Sequence, residues 1–179
     1  MPQDKQYHRQ VKAGQRYETM ISQKKILVVE DNEINRMILR EILSPQYKVL
    51  EAGNGAEALS VLREYGEMVS LILLDIVMPV MDGYTFLSHI KADSSFSSIP
   101  VIVTTQSDSE SDEVAALSHG AADFVAKPYK SQVILHRVAS IIHLRETAAM
   151  INLVQYDRLT GLYSKEFFYQ RVRETLMQH

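Results

Sequence analysis

The 179-residue chain is 46% hydrophobic and 23% charged, enough for one well-buried domain with extensions or for two small domains. A net charge of −3 gives no global reason to expect nucleic-acid binding, and no apolar run approaches the roughly 20 residues that span a bilayer. The absence of cysteine excludes disulfides, thiolate metal sites and cysteine nucleophiles. With no secretory signal at the N-terminus, a cytoplasmic protein is expected, with neither nucleic acid nor membrane as a partner. Residues 1–25 hold six Lys/Arg against two Asp/Glu, a local +4 that leaves −7 for the rest. Residues 1–23 are expected to form a flexible, solvated N-terminal extension.

From Lys25 short apolar runs alternate with helix-period segments. Ile26-Leu27-Val28-Val29 is a buried-strand pattern that stops at Glu30-Asp31. Ile34, Ile38 and Ile42, with Leu39 and Leu43 beside them, mark an amphipathic helix that Pro45 ends. Tyr47 to Leu50 is a second strand, and Gly53-Asn54-Gly55 turns into a helix carrying Ala58, Leu59 and Leu62. The strongest strand, Leu71-Ile72-Leu73-Leu74, ends at Asp75; Pro79 and Asp82-Gly83 punctuate the loop before a helix with Phe86, Leu87 and Ile90. Val101-Ile102-Val103 leads into Thr104-Thr105. Val114, Ala115 and Leu117 lie on the next helix, and Ala122 to Ala126 is a fifth strand that Lys127-Pro128 stops. A long helix begins near Ser131. Five strands alternating with five helices predict an α/β fold, a doubly wound five-stranded parallel sheet with an extended C-terminal helix.

In such a sheet, chemistry collects at the carboxyl ends of the strands. The polar residues at those ends are Glu30, Asp31, Asp75, Thr105 and Lys127. Three clustered carboxylates repel one another and favour a cation among them, and oxygen-only ligands point to Mg²⁺ or Mn²⁺ rather than zinc. A carboxylate beside such an ion can attack phosphorus. Lys127 and the Thr105 hydroxyl then offer donors for phosphoryl oxygens.

Asp75-Ile76-Val77-Met78-Pro79-Val80-Met81-Asp82-Gly83 resembles the D-x-x-M-P-x-M-D-G signature of response-regulator receiver domains. Val28 to Asn32 resembles their acidic metal-binding turn, Pro100 to Thr105 the strand ending in the switch threonine, and Lys127-Pro128 the family's Lys-Pro, usually a cis bond. The resemblance covers residues 24–144 and implies a flavodoxin-like receiver. It implies Asp75 as phosphoacceptor, with Mg²⁺ held by Glu30, Asp31, Asp75 and the backbone carbonyl of Val77. It also implies Thr105 and Lys127 on the phosphoryl group, Thr105 and Phe124 as the switch pair, and a sensor histidine kinase or phosphotransfer protein as donor. Gln106 stands where a small residue is usual, so a non-phosphorylated pseudo-receiver serving as a dimerisation module is the alternative. A flavodoxin would need a Ser/Thr/Gly-rich first loop, which Glu30-Asp31-Asn32-Glu33 is not. A free-standing Mg²⁺ phosphohydrolase is a third reading, separated by multiple turnover.

Ile134, Ile141, Leu144, Ala148 and Ile151 follow three- and four-residue steps, a seam suited to a parallel dimer, so residues 131–156 are expected to continue the last receiver helix as a linker. Homodimerisation through this helix and the fourth helix–fifth strand–fifth helix face is expected. Tyr156 to Tyr163 resembles the D-x-L-T-G-L entry of GGDEF-type diguanylate cyclase domains, which make cyclic di-GMP, so 157–179 is expected to be the start of such a domain. The chain has no GG[DE]EF loop and is expected to be a signalling module whose output lies beyond His179.

Overall fold

The computed structural model describes residues 23–106 and 110–155. Residues 1–22 of the basic extension and all of the cyclase-like segment 157–179 lie outside the described residues. The chain divides into two compact units, Met1–Val138 and Ala139–His179.

The first unit is a five-stranded parallel sheet: β1 Lys25–Val29, β2 Lys48–Ala52, β3 Val69–Asp75, β4 Val101–Thr105 and β5 Asp123–Ala126, in the order β2-β1-β3-β4-β5. Helices α1 Glu33–Leu43, α2 Gly55–Tyr65, α3 Gly83–Ala92 and α4 Glu110–Ser118 connect them, and α5 Ser131–Gln155 follows β5. A single 3₁₀ turn, Gly66–Met68, precedes β3. Strand residues alternate between faces. Leu27, Val29, Ile72, Leu74, Val101 and Val103 meet Leu62 of α2, Phe86 and Ile90 of α3 and Ala116 of α4 in one core. Ile26, Val28, Leu71, Leu73 and Ile102 are buried on the opposite face, and α1 packs against β1 and β2 there.

Local chemistry sets the helix starts. Asn32, Asn54 and Asp82 cap α1, α2 and α3, each side chain accepting from the backbone N–H three residues on. Glu57 also accepts the N–H of Gly53, the residue before the cap, at 2.7 Å, which satisfies a second amide of the turn. Gly83 has a steric role: a Cβ there would lie 2.3 Å from the carbonyl oxygen of Asp75. Only glycine lets α3 start against the end of β3, where its N–H donates to the Ile76 carbonyl at 2.9 Å.

Two expectations are corrected. The core side of α1 is Leu39 and Leu43, both buried, while Ile34 and Ile38 are 64% and 39% exposed. The two stripes are offset by one residue, about 100° around a helix, and only one can face the sheet. Likewise Ile134, assigned to the dimer seam, is buried, as is Val138 one turn on, whereas Val133 is exposed. On α4, Ala116 is buried and Val114 and Leu117 face solvent. In the second unit, Leu144, Met150 and Ile151 are exposed on α5. No helix among the described residues is long and apolar enough to cross a membrane.

Val80, in the loop before α3, holds φ at +68° and is almost fully exposed. A β-branched residue there costs about 1–3 kcal/mol. Val80→Asn, which tolerates this conformation, is expected to stabilise the fold by about 1 kcal/mol. A thermal melt shifted upward by roughly 3–5 °C is the expected reading; an unchanged or lower midpoint shows that the loop stores no such strain.

Candidate functional site

The strand order reverses direction between β1 and β3, which opens a crevice at their carboxyl ends. Glu30 and Asp31 follow β1 there, and Asp75 ends β3. One carboxylate oxygen from each of the three lies within 4.8 Å of the others. Glu30 and Asp75 are 1% and 3% exposed, and Asp31 is open to solvent. Register places Asp75 opposite Thr104, so Thr105 lies one residue nearer the carboxyl edge, buried and paired in register with Ala126. The Lys127 N–H donates to the Thr105 carbonyl at 2.8 Å, and the Lys127–Pro128 bond is cis, as the motif implied.

Lys127 joins the cluster. Its Nζ lies 2.9 Å from Glu30 Oε2 and 3.0 Å from Asp75 Oδ2. Asp75 Oδ1 accepts the Ile76 N–H at 2.8 Å. Glu30 Oε1 accepts from the Asn32 N–H and from Asn35 Nδ2, both at 3.3 Å. Arg36 secures the turn itself, with Nη1 donating to the carbonyls of Glu30 at 2.6 Å and Asp31 at 3.2 Å.

Burial raises the Asp75 carboxyl above its ordinary value; the Lys127 hydrogen bond opposes this, and the Glu30 charge adds to it. Burial works against the Lys127 charge, but its bonds to Glu30 and Asp75 outweigh that and raise its pKa. Three carboxylates and one ammonium leave the cluster two negative charges in excess. Hard oxygen donors with that deficit suit a divalent cation such as Mg²⁺.

Two other expected site residues add no side-chain atom to the carboxylate cluster. The Val77 side chain is 70% exposed and contributes no ligand atom, which leaves only its backbone carbonyl as a candidate. Phe124, opposite Val103 on β5, is half-buried against the core, with the Arg137 guanidinium 5.5 Å from its ring centre and Arg137 paired to Asp123. Gln106 is exposed. Sequence reasoning missed Tyr129. Its hydroxyl lies 2.9 Å from Glu30 Oε2 and 3.3 Å from Thr104 Oγ1. The available signal was a hydroxyl-bearing aromatic directly after Lys127-Pro128, together with a polar Thr104 in an otherwise apolar strand.

Residues 26–139 match the response regulator receiver domain family. The chain belongs to that family, whose domains accept phosphoryl groups from histidine kinases on an aspartate. Among its relatives is the response regulator PleD of Caulobacter vibrioides, 34% identical over 122 residues, 68% of this chain and 26% of that protein. The receiver domain of the sensor histidine kinase PA1611 from Pseudomonas aeruginosa, solved with a magnesium ion coordinated in its active-site cleft, is 28% identical with a TM-score of 0.62. That match covers 68% of this chain and 99% of the other. A solved probable two-component system response regulator/GGDEF domain protein is 28% identical with a TM-score of 0.64, over 68% of this chain and 50% of the other. The chain spans 15% to 26% of the length of the first curated relatives it matches.

Because the Asp75 pKa is raised on folding, its ionised form opposes folding at neutral pH. That penalty is absent below the ordinary aspartate value of 3.8 and complete above the raised one. In metal-free buffer, Asp75→Asn is therefore expected to melt higher than wild type at pH 7, with the difference closing as the pH falls toward 3.8. A variant that melts lower at pH 7 would show that the Lys127 bond outweighs burial.

Proposed function

We propose that Asp75 is the phosphoacceptor of a two-component receiver and that Glu30, Asp31, Asp75 and the Val77 carbonyl hold Mg²⁺. The observation that carries this reading is the Lys127 ammonium bridging Asp75 and Glu30 inside a carboxylate cluster with excess negative charge. Bound Mg²⁺ would supply the positive charge that offsets the crowded carboxylates and the incoming phosphoryl oxygens. An Asp75 carboxylate oxygen attacks the phosphorus of a phosphohistidine. The new O–P bond forms as the P–N bond breaks, and the electron pair leaves with the donor imidazole, which takes up a proton. Lys127 follows a phosphoryl oxygen, and the Thr105 hydroxyl supplies a second, neutral donor. Phe124 changes its packing with Thr105, which alters the α4–β5–α5 face.

The donor must come within bonding distance of Asp75. Ile34, Met37 and Ile38 form an exposed apolar stripe on α1, the helix that begins beside Asp31, and Val77 and Val80 are exposed on the loop after Asp75. This apolar surface around the site is the docking face for the kinase or phosphotransfer helix. With Mg²⁺ and a small acyl phosphate the chain is expected to gain one phosphoryl mass, lost in Asp75→Asn. Ile38→Asp keeps that labelling but slows transfer from a histidine kinase that labels wild type by about tenfold. Absence of any adduct leaves the pseudo-receiver reading standing, and unimpaired transfer to Ile38→Asp removes α1 as the docking face.

The output is proposed to be cyclic di-GMP synthesis by a GGDEF domain following this chain. The Tyr156–Tyr163 motif and the likeness to the response regulator/GGDEF protein support this reading. Control would run through dimerisation along Ile141, Leu144, Ala148 and Ile151, whose steps of three and four carry the exposed Leu144 and Ile151. Sedimentation is expected to show a dimer strengthened by beryllofluoride and Mg²⁺ and weakened by Leu144→Asp. A monomer under every condition overturns the dimer, and a sequence after His179 lacking GG[DE]EF overturns the cyclase.

A further inference from the structure

Thr104, buried, and Tyr129, half-buried, form a polar pair at a place where apolar side chains would suffice. Thr104 is 1% exposed within Val101-Ile102-Val103-Thr104-Thr105, a strand buried throughout. A hydroxyl there weakens the core unless it is bonded. Among the described residues no buried side-chain polar atom lacks a partner, and the partner of Thr104 is the Tyr129 phenol at 3.3 Å.

The direction of these bonds follows from proton count. The phenol has one proton, and Glu30 Oε2, 2.9 Å away, belongs to a carboxylate that can only accept. Tyr129 therefore donates to Glu30, and Thr104 donates to the Tyr129 oxygen. A phenol carries its proton at neutral pH, which keeps Tyr129 a donor. The result is a directed relay from β4 through the residue after the cis proline to the first carboxylate of the site, in which each bond polarises the next.

Glu30 then has four donors: the Asn32 N–H and Asn35 Nδ2 on Oε1, and Lys127 Nζ and the Tyr129 hydroxyl on Oε2. They differ in permanence. Lys127 is shared with Asp75, and the proposed function assigns it to an incoming phosphoryl oxygen. Tyr129 has no such second duty, and its ring is half-buried.

We propose that Tyr129, anchored by Thr104, is a positioning residue that holds Glu30 in its metal-facing posture whether or not Lys127 stays with it. The inference rests on the assignment of Glu30, Asp31 and Asp75 as the Mg²⁺ site. It adds two residues, neither of which touches phosphorus or the ion, as determinants of metal affinity.

Calorimetric titration of the full chain with MgCl₂ tests this alongside thermal melts in metal-free buffer. Tyr129→Phe, which removes one oxygen and keeps the ring, is expected to weaken Mg²⁺ binding by about tenfold, and Thr104→Val by a smaller factor in the same direction. The double variant is expected to match Tyr129→Phe alone, since Thr104 acts only through the phenol. A purely structural pair would lower the melting point and leave Mg²⁺ affinity unchanged, and that result overturns the proposal. So does tighter binding in Tyr129→Phe, which would mean that the hydroxyl competes with the ion. Additive losses in the double variant overturn the relay. If Tyr129→Phe fails to fold, Thr104→Val carries the test, and unchanged affinity there is decisive against it. Wild-type protein that takes up no Mg²⁺ refutes the metal site itself, a different failure from equal affinities in wild type and variant.

Discussion

The Lys127 ammonium, held between Glu30 and Asp75 at the carboxyl edge of the sheet, is the contact on which the site depends. Burying two carboxylates is unfavourable, and the attraction of one shared cation offsets that only in part. The residual negative charge distinguishes this cluster from a structural ion pair. A self-sufficient bridge would bring equal numbers of opposite charges together, whereas here three carboxylates meet one ammonium. The charge balance of the cluster therefore favours a further cation, and its oxygen donors suit a divalent one.

The scaffold serves that cluster through short-range constraints. Gly83 lets α3 press against the Asp75 backbone, which fixes the end of β3. Arg36 ties down the two carbonyls of the acidic turn, and Glu51 takes the other side of its guanidinium at 3.6 Å. On the far strand, the Lys127 N–H bonds back to the Thr105 carbonyl, so the lysine and the threonine share one piece of backbone geometry. Asp75, Thr105 and Lys127 are thus held at or directly after rigid strand ends rather than on long loops.

The surface around the site divides by chemistry. Polar and charged groups line the crevice, while Ile34, Met37, Ile38, Val77 and Val80 expose apolar area near its mouth. On α4, Val114 and Leu117 are exposed as well. The exposed apolar residues thus fall in two separate places, α1 with the loop after β3, and α4.

Much of this was legible in the chain. Strand ends were readable because a buried parallel strand is a continuous apolar run, and a charge directly after it must lie at an edge; Glu30, Asp75 and Lys127 were found that way. The side of α1 that faces the sheet was not readable. Ile34-Ile38-Ile42 and Leu39-Leu43 both satisfy a four-residue period, and only the sheet chooses between them. Ile134 was misplaced for the same reason, since periodicity gives a stripe but not its partner. The bonds of Tyr129 to Glu30, 99 residues away, and to Thr104 had no local signature at all. The sequence by itself determined which chemical groups stand at the strand ends, because burial leaves polar residues few other places in such a sheet. Tertiary structure alone decided which of them touch, because hydrogen bonds between β1, β4 and the turn after β5 depend on strand order and register rather than on neighbours in the chain.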